Sequence, residues 1–398
     1  MFMDLYHKFL AAPEHFVTVY VIPFVIVLSV LVFVHEWGHY IVARMCGVKV
    51  ETFSIGFGKE IFGWTNKAGT RWKISWLPFG GYVQMFGDMD PSSARHEDED
   101  KTPLTEEEKK VAFYSQPIGK RSAIVAAGPT VNFIFAIFIL TGLYTFVGQP
   151  YTPPVVGKLM VGSPADKAGI RPDDKILYLD DTKIYRFQDM VQFVSVNLDK
   201  PIVIRLVHSI GKDAWSKKVV TMRVTPALIH EKDRFGFESE RGQLGIYAPP
   251  KGSAMKKHTL VSAFIAANED VWGIARDTLK AIWQMIDGTR STDELGGILR
   301  IGAYAGDFAQ QGIISLISFA ALLSVNLGLI NFLPVPMLDG GHLAFYAMEK
   351  IRGKPPGERF QEYALRVGLT FILGIMLFST WNDMIQLKII SYVKHHIF

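Results

Sequence analysis

The sequence predicts an α-helical polytopic membrane protein with four transmembrane helices, a membrane-associated β-sheet or hairpin and an inserted α+β domain. Of the 398 residues 49% are hydrophobic and 20% are charged, which is too apolar for an ordinary soluble enzyme and too charged for a bundle without an aqueous part. Residues 16–34, 122–151, 308–338 and 367–382 carry no charged side chain. Because about 20 apolar helical residues cross the hydrocarbon core, each stretch predicts a transmembrane helix or most of one.

The first predicted helix, in residues 1–47, contains the pattern His35-Glu36-x-x-His39. Residues four apart share a helix face, so both imidazoles can bind one metal ion, and Glu36 is placed to act as a general base on water. Metal-ligating and charged groups are costly within a bilayer and are therefore functional candidates. The alternatives are a chance match or two satisfied core histidines, and a carboxylate in the third helix argues against both.

Residues 48–120 predict a membrane-associated β region followed by an acidic cytoplasmic loop. Polar and apolar side chains alternate in residues 48–55 and 72–77, as in strands, and glycine-containing breaks follow at 56–58 and 78–82. An edge strand next to the first helix could pair with an extended polypeptide through its main chain. A small sheet with a structural role alone is the alternative.

An acid-rich, solvated loop at 88–110 precedes the second predicted transmembrane helix, residues 121–150. This helix contains the pattern Gly128-Pro129-x-x-Asn132. Since an amide side chain within a bilayer needs a hydrogen-bond partner, Asn132 is expected either to contact a neighbouring helix or to face a polar cavity.

Residues 151–228 predict a folded domain outside the membrane. The predicted order is a strand at 155–159, a small-residue turn and short helix at 162–170, a strand at 175–179 and later strands at 202–207 and 217–224. This order resembles a PDZ domain of the bacterial protease type, which binds peptide ends or strands by edge addition. Residues 229–307 are predicted to be a polar linker followed by an amphipathic helix at 260–286 on the membrane surface.

Residues 308–343 predict the third transmembrane helix, which ends in Pro334-x-Pro336-x-Leu338-Asp339. The prolines stop regular helix. Asp339 can supply an oxygen ligand, and two histidines, one carboxylate and an open fourth position are typical of catalytic zinc. His342 is the competing ligand. Residues 344–398 predict a cytoplasmic loop, the fourth helix and the C-terminus.

Charge patterning predicts the orientation in the membrane. Lys and Arg are concentrated after the first and third predicted helices, which favours a cytoplasmic location for these loops and an outer location for the long loop and both termini. The single cysteine, Cys46, excludes an intrachain disulfide. The net charge of +4, without a basic cluster interleaved with aromatic residues, does not suggest nucleic-acid binding.

In this order the motifs resemble the site-2 protease family, and specifically its bacterial branch with a PDZ insertion, like the regulator-of-sigma-E protease. The resemblance extends over nearly the whole chain and rests on His35-Glu36-Trp37-Gly38-His39, Pro78-Phe79-Gly80-Gly81-Tyr82-Val83, Gly128-Pro129-x-x-Asn132, the PDZ-like segment and Asn331-x-x-Pro334-x-Pro336-x-Leu338-Asp339-Gly340. The chain departs from some members in having one PDZ domain where they carry two.

The resemblance implies an intramembrane zinc metalloprotease that cleaves transmembrane segments of single-pass membrane proteins in regulated intramembrane proteolysis. Its substrates would be proteins such as anti-sigma factors, truncated by a first-site cleavage. Its location would be the bacterial inner membrane, with the active site near the cytoplasmic side. The PDZ domain would be extracytoplasmic and would dock peptide ends or act as a size filter.

The resemblance also implies a role for individual residues. His35, His39 and Asp339 would hold Zn²⁺, and Glu36 would activate the attacking water. Three candidate substrate contacts follow: Asn331 as a clamp on the substrate backbone, Asn132 as a donor to the oxyanion, and Pro336.

Two other functions fit parts of the pattern. A non-catalytic membrane scaffold could bind protein tails through its PDZ domain, although a scaffold needs no general base at Glu36. A zinc transporter could use the histidines as a transit site, although transport usually needs more than one intramembrane ligand cluster and the sequence shows one.

Overall fold

A computed structural model of the chain describes residues 17–88, 105–198, 200–211, 214–233, 235–249 and 254–387. A π-helical turn (Val17–Val21) precedes the first of the ten α-helices in these ranges. The helices are α1 (Ile22–Met45), α2 (Glu106–Val111), α3 (Ile118–Phe146), α4 (Pro164–Lys167), α5 (Phe187–Ser195), α6 (Leu260–Ile286), α7 (Ile298–Gln310), α8 (Ile313–Phe332), α9 (Asp339–Arg352) and α10 (Glu358–Gln386).

Among the described residues, four helices are long and apolar enough to cross a membrane, as the sequence predicts. They are Val17–Met45, Ile118–Phe146, Ile313–Phe332 and Arg359–Gln386.

The third of these helices is shorter than predicted. The charge-free stretch 308–338 contains the end of α7 and all of α8. The two helices are separated at Gly312, whose φ of 112° is a conformation that glycine adopts readily and other residues rarely do. At the other end α8 stops at Phe332, because the prolines that follow cannot donate to a helical ladder. The fourth helix is longer than the predicted 367–382. The prediction covered only the charge-free residues, whereas the first turns of α10 contain charged residues, among them Arg366 and Glu362, which pair along its surface.

The strands described are β1 (Val50–Thr65), β2 (Arg71–Met85), β3 (Gln149–Tyr151), β4 (Lys158–Leu159), β5 (Lys175–Leu179), β6 (Thr182–Lys183), β7 (Ile202–Gly211), β8 (Ala214–Val224), β9 (Ala227–Lys232), β10 (Glu238–Gln243), β11 (Ile246–Tyr247) and β12 (Ala254–Lys256). Of the predicted acidic loop, residues 89–104 lie outside the described residues.

The predicted β region next to the first helix is present, but its predicted breaks are wrong. β1 runs through 56–58 because Gly56 and Gly58 adopt positive φ angles and bend the strand without ending it. As a result the first half of β1 pairs on both sides: Phe53 lies opposite Val83 and also opposite Trp72. Residues 81–85 and 60–65 thereby become the outer segments of this sheet.

The chain divides into two compact units. We call the first the helical unit; it comprises the described residues of Asp4–Leu140 and Gly297–Thr380 and contains α1, the sheet of β1 and β2, α8 and α9. The second, the β-rich unit, comprises the described residues of Thr141–Gly296 and those from Trp381 onward.

The β-rich unit is built around a four-stranded sheet in the order β6-β5-β7-β8. Its buried core is Val156, Ala165, Ile170, Ile176, Leu179, Ile184, Phe187, Met190, Val194, Ile202, Ile204, Leu206, Val224 and Leu244. Leu244 belongs to this core, and β11 pairs with β4. The folded part therefore continues past residue 228, through a stretch with the polar composition of a linker.

Helix α6 has the bounds predicted for the amphipathic helix. Small side chains on one face are buried, among them Ala263, Ala267 and Ala275. A different face exposes an apolar stripe of Val261, Ile265, Trp272, Leu279, Trp283 and Ile286. On the buried side, Asp270 accepts hydrogen bonds from Arg186, Tyr144 and Gln149 within the β-rich unit.

Candidate active site

Helix α1 brings its two motif histidines onto one face, as the spacing of four residues requires. The Nε2 atoms of His35 and His39 are 3.2 Å apart, and the two rings meet edge to face. His39 is buried and His35 nearly so. Both imidazoles thus present the same nitrogen to one point inside the helical unit.

Asp339 reaches this point from a distant part of the sequence. Its Oδ2 lies 3.2 Å from Nε2 of His35, and its Oδ1 lies 3.5 Å from Nε2 of His39. The residue begins α9 after the proline-containing turn, in which Met337 holds a left-handed φ of 80°. Since a non-glycine residue adopts this conformation only at a cost of about 1–3 kcal/mol, the turn is held by its surroundings and fixes where Asp339 emerges.

The cluster of His35, His39 and Asp339 fits a metal ion. One ligand atom from each residue lies within 4.8 Å of the other two. Oδ2 of Asp339 is buried and receives no hydrogen bond from the described residues, which is costly for a carboxylate oxygen unless a cation is close. Nδ1 of His39 donates to the carbonyl of Ile124 at 2.9 Å, which leaves the lone pair on Nε2.

Helices α1 and α3 are in close backbone contact beside this cluster, and two glycines allow this contact and leave space for the His39 ring. A Cβ on Gly38 would lie 2.6 Å from the carbonyl oxygen of Ala127, and a Cβ on Gly128 would overlap the imidazole of His39. The two helices can therefore cross at this point only with glycine in both positions.

Gly128→Ala is accordingly expected to displace the His39 ring and lower zinc affinity about 10-fold or more, because overpacking typically costs about 1–3 kcal/mol. The measurement is zinc affinity by competition with a chromogenic chelator, on purified protein in detergent. Gly142→Ala is the matched control, since a Cβ there meets nothing within 4 Å. An unchanged zinc affinity in Gly128→Ala would contradict the packing argument.

Glu36 follows His35 on α1 and lies beside the sheet. A Cβ on Gly81 of β2 would be 3.1 Å from Cγ of Glu36 and 2.8 Å from Cγ1 of Val32. The carboxylate of Glu36 is close enough to interact electrostatically with His35, His39 and Asp339. The candidate general base, Glu36, and an outer sheet segment thus lie next to the same cluster.

The three other candidate residues lie in different surroundings. The amide nitrogen of Asn132, which is fully buried, is 3.0 Å from Nδ1 of His35. Asn331 donates to the carbonyl of Leu327 on its own helix. The backbone of Pro336 packs against Gly368 of α10, and a Cβ on Gly368 would overlap the Pro336 carbonyl. His342, the competing ligand, is not part of the metal-binding cluster found among the described residues.

Sequence reasoning missed the residues that support the cluster from outside. The carbonyl of Ile124, the left-handed turn at Met337 and the contact of Gly128 with His39 leave no signature in residue type or spacing. The single available signal was the glycine-proline-asparagine pattern in an apolar helix.

The chain matches known proteins over most of its length. The model for Peptidase family M50 matches residues 23–375. "Putative zinc metalloprotease Atu1380" of Agrobacterium fabrum is 40% identical over 379 residues, covering 94% of this chain and 98% of that protein. "Metalloprotease MmpA" of Caulobacter vibrioides is 34% identical over 388 residues, covering 92% of this chain and 96% of that protein. The chain therefore belongs to Peptidase family M50, the site-2 protease family, and is a membrane zinc metalloprotease.

Proposed function

We propose that this enzyme hydrolyses a peptide bond inside the transmembrane segment of single-pass membrane proteins. The observation that carries the proposal is the position of the cluster: His35, Glu36 and His39 belong to a helix long and apolar enough to span a membrane, and Asp339 follows the end of another. A site built on such helices is accessible to a substrate that is itself in the bilayer.

In the proposed mechanism His35, His39 and Asp339 hold Zn²⁺. Bound there, a zinc ion would supply Lewis-acid chemistry for the scissile carbonyl and for the attacking water. Glu36 accepts the proton of the attacking water and passes it to the amine that leaves. The low exposure of His35, His39 and Asp339 limits the access of bulk water and strengthens each of these electrostatic contacts.

We propose that the substrate main chain binds along the outer segment of the sheet. Residues 81–85 pair with β1 on one side, and Gly81 brings the segment to Glu36. An unwound stretch of substrate that pairs with the other side would lie next to the general base. Asn331 is proposed to bind the same extended backbone, which requires its amide to exchange the bond with Leu327 for one with substrate.

The β-rich unit is proposed to act as a PDZ domain for peptide ends produced by a first cleavage. In its support, a groove of about 220 Å³ lies between α5 and β11, lined by residues that include Met190, Val194, Ile246 and Tyr247. The edge of β11 could pair with the main chain of an extended peptide, and the apolar side chains of the groove could hold an apolar peptide end.

Val191→Asp is expected to lower the affinity for a peptide with an apolar C-terminus about 10-fold or more, because a bound peptide would bury the new charge. Val191 lines the groove and is 43% exposed. The readout is fluorescence anisotropy of a labelled peptide on the full protein in detergent, with Val219→Asp on β8 as the control. Equal affinities for wild type and Val191→Asp would contradict a binding role for this groove.

The proposed location is the bacterial inner membrane. The Lys/Arg-rich segments that follow α1 and α8 favour a cytoplasmic side for the C-terminal end of α1 and an extracytoplasmic side for the β-rich unit. The stripe of exposed apolar residues on α6, with its two tryptophans, suits the lipid interface. Trimmed anti-sigma factors are substrates of the proposed kind.

The proposal is tested with a single-pass substrate co-reconstituted in proteoliposomes, with its outer domain either complete or shortened. We expect the shortened substrate to be cut faster, a zinc chelator to stop cleavage, and added Zn²⁺ to restore it. Equal cleavage of both substrates would overturn the requirement for a first cut, and cleavage that persists without metal would overturn the enzyme mechanism.

A further inference from the structure

Asn132 is a buried amide whose partner is a proposed metal ligand. It is fully buried in the middle of α3, and its side-chain amide lies 3.0 Å from Nδ1 of His35 across 97 residues of sequence. An amide in such a position either donates to the ring or accepts from it, depending on which of its two ends faces the imidazole.

The position of Asn132 is fixed from its far side. The hydroxyl of Ser324 on α8 donates to the main-chain carbonyl of Asn132 at 2.9 Å. One turn further along α8, a Cβ on Gly328 would be 2.8 Å from the carbonyl oxygen of Pro129, so the two helices are in backbone contact. These contacts hold the backbone at Asn132, and its side chain is fully buried, so rotation of the terminal amide group is the main freedom left to it.

The chemistry of His35 decides which end of the amide faces it. Nε2 of His35 lies 3.2 Å from both Nε2 of His39 and Oδ2 of Asp339, so this nitrogen is the one that a cation would meet. A neutral imidazole that offers Nε2 to a metal carries its proton on Nδ1 and needs an acceptor there.

The oxygen of the Asn132 amide is that acceptor. Oδ1 is buried and has no hydrogen-bond partner among the described residues while the amide nitrogen faces the ring. A half-turn of the amide exchanges oxygen and nitrogen at nearly the same positions. That exchange gives the unpaired oxygen a donor and leaves the lone pair of His35 on Nε2.

We infer that Asn132 is a positioning residue for His35, whose side-chain carbonyl accepts the Nδ1 proton and keeps Nε2 directed at the metal. Ile124, Gly128 and Asn132 then lie at intervals of four on one face of α3. The first holds Nδ1 of His39, the second accommodates its ring, and the third holds Nδ1 of His35. This role differs from donation to the oxyanion, and it rests on the metal ligands proposed above.

The test compares Asn132→Asp with Asn132→Leu, both in the Glu36→Gln background so that no turnover is involved. A carboxylate can still accept from Nδ1, whereas leucine keeps the volume and loses the acceptor. We expect zinc affinity, measured by chelator competition, to fall about 10- to 100-fold in Asn132→Leu and to stay near the parent value in Asn132→Asp. The visible spectrum of bound Co²⁺ is expected to change in the leucine variant alone.

Thr130→Val, an exposed position on the same helix, is the control, and thermal unfolding of each variant reports whether it folds. Parent-like zinc affinity in Asn132→Leu would overturn the inference, because packing alone would then explain Asn132. So would an equal loss in both variants, which would indicate that the amide nitrogen is the required group. If the Glu36→Gln parent itself binds no zinc, the metal ligands proposed above and this inference fall together.

Discussion

Glu36→Gln is expected to abolish peptide-bond hydrolysis while zinc remains bound. Glutamine has nearly the volume of glutamate but cannot accept the proton of the attacking water. General acid–base catalysis typically contributes about 10²–10⁴-fold, so cleavage should fall by at least that range. The three proposed ligands are other residues, so metal content should be unaltered. The measurement is the single-turnover cleavage rate together with zinc per chain by mass spectrometry.

Trp37→Phe is the matched control for this substitution. Trp37 is adjacent on α1, 41% exposed and on the opposite side from the cluster, so the change should leave cleavage near the wild-type rate. Normal cleavage by Glu36→Gln would remove the general base from the mechanism. Loss of zinc together with activity would instead make Glu36 part of the metal site.

Asp339→Asn is expected to lose both zinc and cleavage. A neutral amide oxygen is a much weaker ligand than a carboxylate, and the substitution leaves the two imidazoles without a compensating negative charge. Since outer-shell partners of ligands are already worth about 10–100-fold in metal affinity, removal of a ligand should cost more than about 100-fold. The readout is chelator competition, with cleavage measured at saturating and at limiting zinc.

Asp181→Asn serves as the control for this second substitution, because Asp181 is fully exposed in the β-rich unit. We expect Asp181→Asn to bind zinc as the wild type does. Wild-type zinc affinity in Asp339→Asn would exclude Asp339 as a ligand and would redirect attention to His342, four residues from the turn at Leu338.

The centre of the site was predictable because local rules govern it. His35 and His39 share a helix face through their spacing alone, and the apolar run before them predicts a bilayer setting. Asp339 was found by the same reasoning, as a lone charge at the end of an apolar segment. The assembly of the three residues across some 300 positions of sequence came from the family resemblance and from the logic of zinc ligation, not from any local pattern.

The elements that sequence reasoning misplaced depend on single backbone conformations or on distant partners. A left-handed glycine at 312 divides a run of uncharged residues that composition shows as continuous. Gly56 and Gly58 bend β1 where they were expected to end it. In the polar stretch after residue 228, β9 and β10 pair with each other, β11 pairs with β4, and Leu244 packs in the core of the β-rich unit. Their own composition does not encode these partnerships.

The contacts that support the candidate metal site were not predictable, for the same reason. The sequence left two roles open for Asn132, and its contact with His35 depends on how α1 and α3 cross. That crossing in turn depends on the absence of side chains at Gly38 and Gly128. Such contacts between distant segments cannot be derived from helix periodicity.

The measurement that tests the central claim most directly is the mass of the products released from a single-pass substrate in proteoliposomes. We expect wild type to cut a bond within the apolar segment, and the Glu36→Gln enzyme, with zinc bound, to release neither fragment. A cut confined to the parts of the substrate outside the bilayer, or the same products from Glu36→Gln, would contradict hydrolysis inside the membrane by this site.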